Sequence, residues 1–435
     1  MLIPSHDPST VRRTAPGMQG LGRLPLRGLG ALASRLYVYL SGFAAVFLLA
    51  ATMTPARFGE YSLYQSVLEM ALVVATLGSS LLFSRQAAAG MLRVRRGDLQ
   101  RTLALGLPLT TLLAAALLAA QRLPVPGWPF ALIVCTLGVF AFNTLRLAYD
   151  RGQGHAGLLN LEPGIRATFL VLCVGAAAVL CGSSGEGGGL GVPSLLAVNL
   201  LGMLLVTAAV VPSSRPGGPP RGRAALALAT QGGATVYSLL MFLLRKSDLQ
   251  IVALLMPLGY VGAFKIAFLL AEAPSQFVQA FLYTRTPAML QADAQTLEAS
   301  AFPLARQSFL LGCGLFAMLA ALITLAAPLL HVGREAVGIF LCLAPYFLLR
   351  TYTVHHEMLL ALRTPVASLG RWALAEVAVR LLSYGAVALL FPGRPHYVFF
   401  LACGTDLALY EVRMRLAFGI FPITRLTRGA WQRLR

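Results

Sequence analysis

A chain of 435 residues that is 57% hydrophobic and only 12% charged, with a mean hydropathy of +0.73, has too little polar surface for a water-soluble domain, which averages about 25% charged residues. The net charge of +19 would suit a nucleic-acid binder if it were gathered on one polar face. Here the arginines fall between apolar runs, which excludes that class. The six cysteines (Cys135, Cys173, Cys181, Cys313, Cys342 and Cys403) lie in or beside apolar runs with no CxxC, so neither a disulfide framework nor a zinc site is expected.

Residues 1–29 are polar and basic, with no small-residue cleavage site before the first apolar run, and read as a cytoplasmic tail rather than a signal peptide. Twelve runs long enough to cross about 30 Å of hydrocarbon as helices follow. They lie near 30–52, 58–84, 101–120, 128–148, 159–181, 193–211, 225–256, 258–284, 307–330, 336–361, 367–391 and 397–419. The seventh reads as one long, tilted helix, because "LQIVALLMP" alone is too short to span. Residues 420–435 form a second basic tail. The expectation is an all-α integral membrane protein of about twelve transmembrane helices.

With the N-terminus inside, twenty-two arginines flank the spans on the cytoplasmic side. Four, Arg57, Arg122, Arg334 and Arg394, lie outside. This is the positive-inside bias; it accounts for most of the charge without nucleic acid and places both termini in the cytoplasm. The Gly/Pro-rich stretch at 212–224 is a linker between two bundles of six spans, 30–211 and 225–419. Gly59, Tyr61 and Glu69 recur as Gly262, Phe264 and Glu272, and Ser84–Arg85 as Thr284–Arg285. Six spans per half make this a parallel repeat, as in alternating-access transporters.

The stretch "MTPARFGEYSLYQSVLEMALVVATLGSSLLFSR" resembles the helix 1–2 signature of bacterial polysaccharide flippases. That family belongs to the superfamily of multidrug, oligosaccharidyl-lipid and polysaccharide exporters. "KSDLQIVALLMPLGYVGAFKIAFLLAEAPSQFVQAFLYTRTPAM" is similar to its seventh and eighth helices, with Phe264 where tyrosine is common. The resemblance covers all twelve spans. It implies a flippase of the bacterial inner membrane that turns a lipid-linked oligosaccharide on undecaprenyl diphosphate to the periplasmic leaflet. It also implies partners among other membrane proteins of polysaccharide assembly.

A desolvated diphosphate needs cationic partners, so bases inside the spans are the expected substrate contacts. These are Arg245, Lys246 and Lys265, which include both lysines of the chain. Arg35 joins them because related lipid II flippases use bases in that helix. The ammonium groups of Lys246 and Lys265 are expected at similar depth, facing a central cavity. Glu69, Asp248, Glu272 and Asp406 are candidates for proton or sodium coupling. Glu162 with Arg166, and Glu376 with Arg380, are spaced i,i+4 and read as self-neutralising pairs. Arg350 and the "HHE" of His355–Glu357 sit near the inner end of the tenth span, and that spacing is not a metal motif.

No P-loop is present: Lys246–Ser247 follows Arg245, not glycine, so ATP is not the direct energy source. No enzyme activity and no cofactor are expected. Two alternatives are a cation-coupled multidrug exporter of the same superfamily, which would favour acidic cavity residues, and a membrane glycan polymerase or ligase. The absence of large loops argues against the last.

Overall fold

The computed structural model describes residues 26–76, 96–121, 123, 127–152, 161–180, 191–210, 236, 240, 248–291, 294–329, 333–363, 366–390, 395–419 and 423–424. They form twelve helices. The N-terminal set is α1 (Leu26–Thr52), α2 (Pro55–Ala75), α3 (Arg96–Ala120), α4 (Trp128–Gly152), α5 (Glu162–Leu180) and α6 (Val192–Val210). The C-terminal set is α7, whose last turns are residues 248–255, then α8 (Leu258–Gln291), α9 (Ala294–Ala326), α10 (Gly333–Arg363), α11 (Val366–Leu390) and α12 (Pro395–Phe418). A 3₁₀ turn, Ala327–Leu329, closes α9.

In hydrocarbon a helix satisfies its own backbone, and the composition follows that rule. Seven of the helices are long and apolar enough to cross a membrane among the described residues. Large apolar side chains such as Leu112, Val179 and Leu389 face outward (69%, 83% and 84% exposed), whereas Arg380 and Asp248 are buried to 6%. The outer face is thus apolar, unlike that of a soluble bundle, and a few charged side chains lie inside. The turns are short and punctuated by proline. Pro55 stands in the first turn of α2, where a missing N–H costs nothing, and Pro257 separates α7 from α8.

The two sets are packed alike. In the first, α1 lies on α5, α2 on α3 and α4, α3 on α4, and α6 on α4 and α5. In the second, α8 lies on α9 and α10, α9 on α10, and α12 on α10 and α11, while α7 reaches α11 through Asp248 and Arg380. The six neighbour pairs just named for one bundle recur in the other, as a parallel repeat requires.

The bundles meet along α2 and α8, with α1 also against α8. The repeated glycines make that contact. A Cβ on Gly59 would stand 1.8 Å from the Leu258 carbonyl oxygen, and one on Gly262 would stand 2.7 Å from Phe58 Cδ1. One apolar core runs through the seam, including Leu63, Tyr64 and Val67 of α2 and Val261, Phe264 and Ile266 of α8.

Two boundaries differ from expectation. Helix α9 begins at Ala294 rather than near 307, because "AQTLEASAF" consists largely of helix formers and extends the helix past its apolar run. Helix α8 likewise continues to Gln291. Residues 1–25, most of 420–435, the 212–224 linker and most of the seventh span lie outside the described residues, and α1 takes in the last four residues expected in the N-terminal tail.

Candidate functional site

Four of the helices bring polar side chains to one cleft in the C-terminal bundle. It is lined by Asp248 of α7, by Phe268, Glu272, Ser275, Gln276 and Gln279 of α8, by Tyr346, Phe347 and Arg350 of α10, and by Arg380 of α11. The α8 residues recur at three- and four-residue intervals, so they share one face. At 1.5 Å per residue, Asp248, Glu272, Tyr346, Arg350 and Asp406 lie about 13–26 Å from the helix ends that carry Pro257, Gly333 and Pro395. That range falls within a hydrocarbon layer of about 30 Å.

Two ion pairs organise the cleft. Arg380 Nη2 stands 3.7 Å from Asp248 Oδ2, and Tyr384, one turn along α11, donates its hydroxyl to Asp248 Oδ1. Arg350 Nη1 stands 3.7 Å from Asp406 Oδ2 and donates to the Tyr346 hydroxyl at 3.0 Å. That hydroxyl in turn donates to Asp406 Oδ2. The guanidinium of Arg350 also lies over the Tyr346 ring, 5.8 Å from its centroid, a cation–π arrangement. Below these pairs Phe268 meets Phe347 edge to face at 5.2 Å.

The cleft borders the other bundle. Gln276 Nε2 donates to Glu272 Oε1 at 2.7 Å, and Tyr39 of α1 donates to Gln276 Oε1 at 3.4 Å. A second bridge between the halves joins Gln121 Nε2 to Gln250 Oε1 at 3.0 Å.

Three of the four expected coupling carboxylates therefore converge. Asp248 and Glu272 line the cleft, and Asp406 stands behind its tyrosine. Glu69, the counterpart of Glu272, lies half-buried on α2 of the other bundle. Lys265 lies half-buried on α8, seven residues before Glu272, hence about two turns away on the same side of the helix. Arg35 belongs to α1, and its side chain lies outside the described residues, as do Arg245 and Lys246. The described charges of the cluster are mixed, with two arginines beside three carboxylates, rather than simply cationic. No group of three or more metal-ligating side chains occurs among the described residues. His355 Nε2 instead meets Ser308 Oγ at 2.6 Å.

The two i,i+4 pairs part company. Glu162 and Arg166 do neutralise one another, Oε1 to Nε at 3.3 Å. Glu376 instead accepts from Arg413 Nη1 of α12 at 3.1 Å, while Arg380 crosses to Asp248. The expectation of a self-neutralising Glu376–Arg380 pair is corrected. Helix spacing allows that pair, but a carboxylate on a neighbouring helix competes for each partner.

Arg350, Arg380, Tyr346 and Tyr384 were not singled out from the sequence as contacts. Asp248 and Arg380 are 132 residues apart, and no local pattern links them. Gln276 and Gln279, four and seven residues after Glu272 on an otherwise apolar helix, were legible as an extension of its polar face.

No family model and no curated protein matches the chain. Solved structures do. The inward-facing conformation of a multidrug resistance MATE family transporter of the MOP superfamily is 12% identical. The match covers 89% of this chain and 98% of that one, with a TM-score of 0.61. An outward-facing conformation of a multidrug resistance MATE family transporter is 13% identical over 89% and 96%, with a TM-score of 0.59. A MOP superfamily transporter from Pyrococcus furiosus, whose binding pocket is described as of reverse polarity, is 12% identical over 89% and 94%, at 0.51. The fold is accordingly the MATE-like pair of six-helix bundles.

Proposed function

We propose that the protein is a membrane transporter that turns an anionic, lipid-linked glycan carried on a prenyl diphosphate between the leaflets of the bacterial cytoplasmic membrane, by alternating access of the two bundles. The observation that supports this most is Arg380. Its side chain is buried and borders the cleft, its Nε has no hydrogen-bond partner among the described residues, and its ion pair at 3.7 Å is longer than a charge-assisted hydrogen bond. A guanidinium held this way has donors to spare for a phosphate.

The surrounding residues suit the rest of such a substrate. Ser275, Gln276 and Gln279 offer hydrogen bonds to sugar hydroxyls, and Phe268 and Phe347 offer apolar ring faces. An arriving phosphate displaces Asp248 from Arg380 and Asp406 from Arg350. Carboxylates left unpaired in the interior are costly, so each takes up a proton or a sodium ion, and this links transport to an ion gradient. Lys265, with Arg35, Arg245 and Lys246, supplies further cationic contacts along the path.

One observation favours a second reading, a cation-coupled multidrug exporter: Glu272 is a second carboxylate lining the cleft beside Asp248. The two separate in vesicles reconstituted with the full chain. A prenyl-diphosphate oligosaccharide labelled on its sugar should exchange between leaflets, seen as complete quenching by an external reductant that quenches only half the label in protein-free vesicles. Export of ethidium with no exchange of the lipid would replace the flippase reading with the exporter.

A further inference from the structure

Two residues that line the cleft, Phe268 of α8 and Arg380 of α11, have polar counterparts in the N-terminal bundle. Gln65 stands six residues after Gly59, as Phe268 stands six after Gly262. Arg166 follows Glu162 in the fifth helix of its bundle, as Arg380 follows Glu376 in the other. The counterparts form a cluster of their own. Arg166 pairs with Glu162 at 3.3 Å, donates through Nη1 to Asn199 Oδ1 at 3.2 Å, and lies over the Phe140 ring, 5.5 Å from its centroid. Its charge also acts on the Tyr61 hydroxyl, which accepts from Gln65 Nε2 at 3.0 Å.

This cluster is neutral. Glu162 balances Arg166, and the remaining polar groups are two amides and a phenol, which donate and accept as sugar hydroxyls do. One donor is left over. Asn199 is 3% exposed, and its Nδ2 meets no acceptor among the described residues. A buried N–H without an acceptor is costly, so an acceptor oxygen belongs beside it. Tyr61, Gln65 and Asn199 lie about 9–15 Å from the helix ends that carry Pro55 and Val192, level with Phe268, about 15 Å from the start of α8. Helix α1 links the two sites. Tyr37 shares a hydrogen bond at 2.9 Å with Thr168, two residues after Arg166, and Tyr39 reaches Gln276 at the cleft. About one helix diameter, 10–12 Å, therefore separates them. From these observations we infer that the N-terminal cluster is a sugar subsite. Gln65 and Asn199 bind hydroxyls of the glycan whose diphosphate is held at Arg380, so the bundle opposite the diphosphate selects the sugar. The inference rests on the flippase reading above, and its test separates the two.

The test compares two probes on the full-length protein in neutral-lipid nanodiscs: undecaprenyl diphosphate, and the lipid-linked oligosaccharide pool extracted from membranes of the native cells. Wild type should bind the oligosaccharide form at least tenfold more tightly. Q65M and N199L, which keep side-chain volume and remove the hydrogen bonds, should each cut that preference to threefold or less. Both should leave the affinity for undecaprenyl diphosphate within twofold of wild type. Gln65 is half-buried, so Q65M keeps the test open if N199L does not accumulate. A Q65M variant that keeps the full preference, or that loses affinity for both probes alike, overturns the inference and leaves the cluster as an internal strut. Equal affinity of wild type for the two probes overturns the sugar subsite and leaves the diphosphate reading standing. Binding of neither probe removes the flippase reading itself, and the subsite with it.

Discussion

The charged side chains of the cleft behave as pairs, and single substitutions will report the cost of breaking a pair. Arg380 and Asp248 are both buried, and removing one partner of such a pair leaves an uncompensated charge, at about 3–5 kcal/mol. R380Q should therefore lower the thermal unfolding midpoint markedly, and R380Q/D248N should regain most of that loss while still failing to bind a diphosphate. Equal destabilisation by the single and the double variant would show that the pair contributes nothing as a pair. Lys246 and Lys265 pose a separate question. Changing both to glutamine should abolish lipid exchange in vesicles while the protein still inserts and accumulates, and exchange at the wild-type rate would reduce them to interfacial anchors. At this scale the sequence exposed the acids and hid their partners. Asp248, Glu272 and Asp406 stood out because a carboxylate in an apolar run needs an explanation. Which base answers each acid depends on helix neighbours that are far apart in the chain.

The helices themselves were legible, because apolar length and proline punctuation are local signals. The ends of α8 and α9 were not, since both continue as helix beyond their apolar runs. The recurrence of Gly59 as Gly262 was legible as a repeat, but its role was not. Only the packing of α2 on α8 shows that each glycine admits the other helix's backbone or ring. At Gly59 the obstructing atom is the Leu258 carbonyl oxygen, 1.8 Å from an added Cβ. A backbone atom cannot rotate aside, so the helices must separate. G59A should cost about 1–3 kcal/mol, the usual range for overpacking. G262A meets the edge of the Phe58 ring, a side chain that can shift, and should cost less. Thermal unfolding of the two variants side by side checks the order. G42A, where an added Cβ meets nothing within 4 Å, serves as the control. If G59A unfolds at the wild-type temperature, the close contact along α2 and α8 does not hold the seam.

The whole molecule was the most legible level for architecture and the least for chemistry. An even number of spans per half dictates that the halves run the same way through the membrane, and the recurring helix neighbours bear this out. The proposed orientation rests on the arginines. A reporter active only in the periplasm should work when fused near Gly187 and fail near Pro219, and the opposite result at either position would overturn the proposed topology. Substrate chemistry was less legible because the bundles have diverged where the repeat would have made them equal. The cleft described here belongs to the C-terminal bundle, and Glu69 in the other half does not share it. The Gly59–Gly262 seam suggests how that divergence became possible. Each bundle offers its partner the helix that carries the repeated glycine, so the contact is roughly two-fold, the geometry by which a protein pairs with its own copy. A half-length ancestor with one such glycine could close on itself as a homodimer, and any mutation in it would have appeared in both lobes at once. Joining the two copies in one polypeptide removed that constraint, allowing one lobe to acquire a polar cleft while the other kept its arginine folded back.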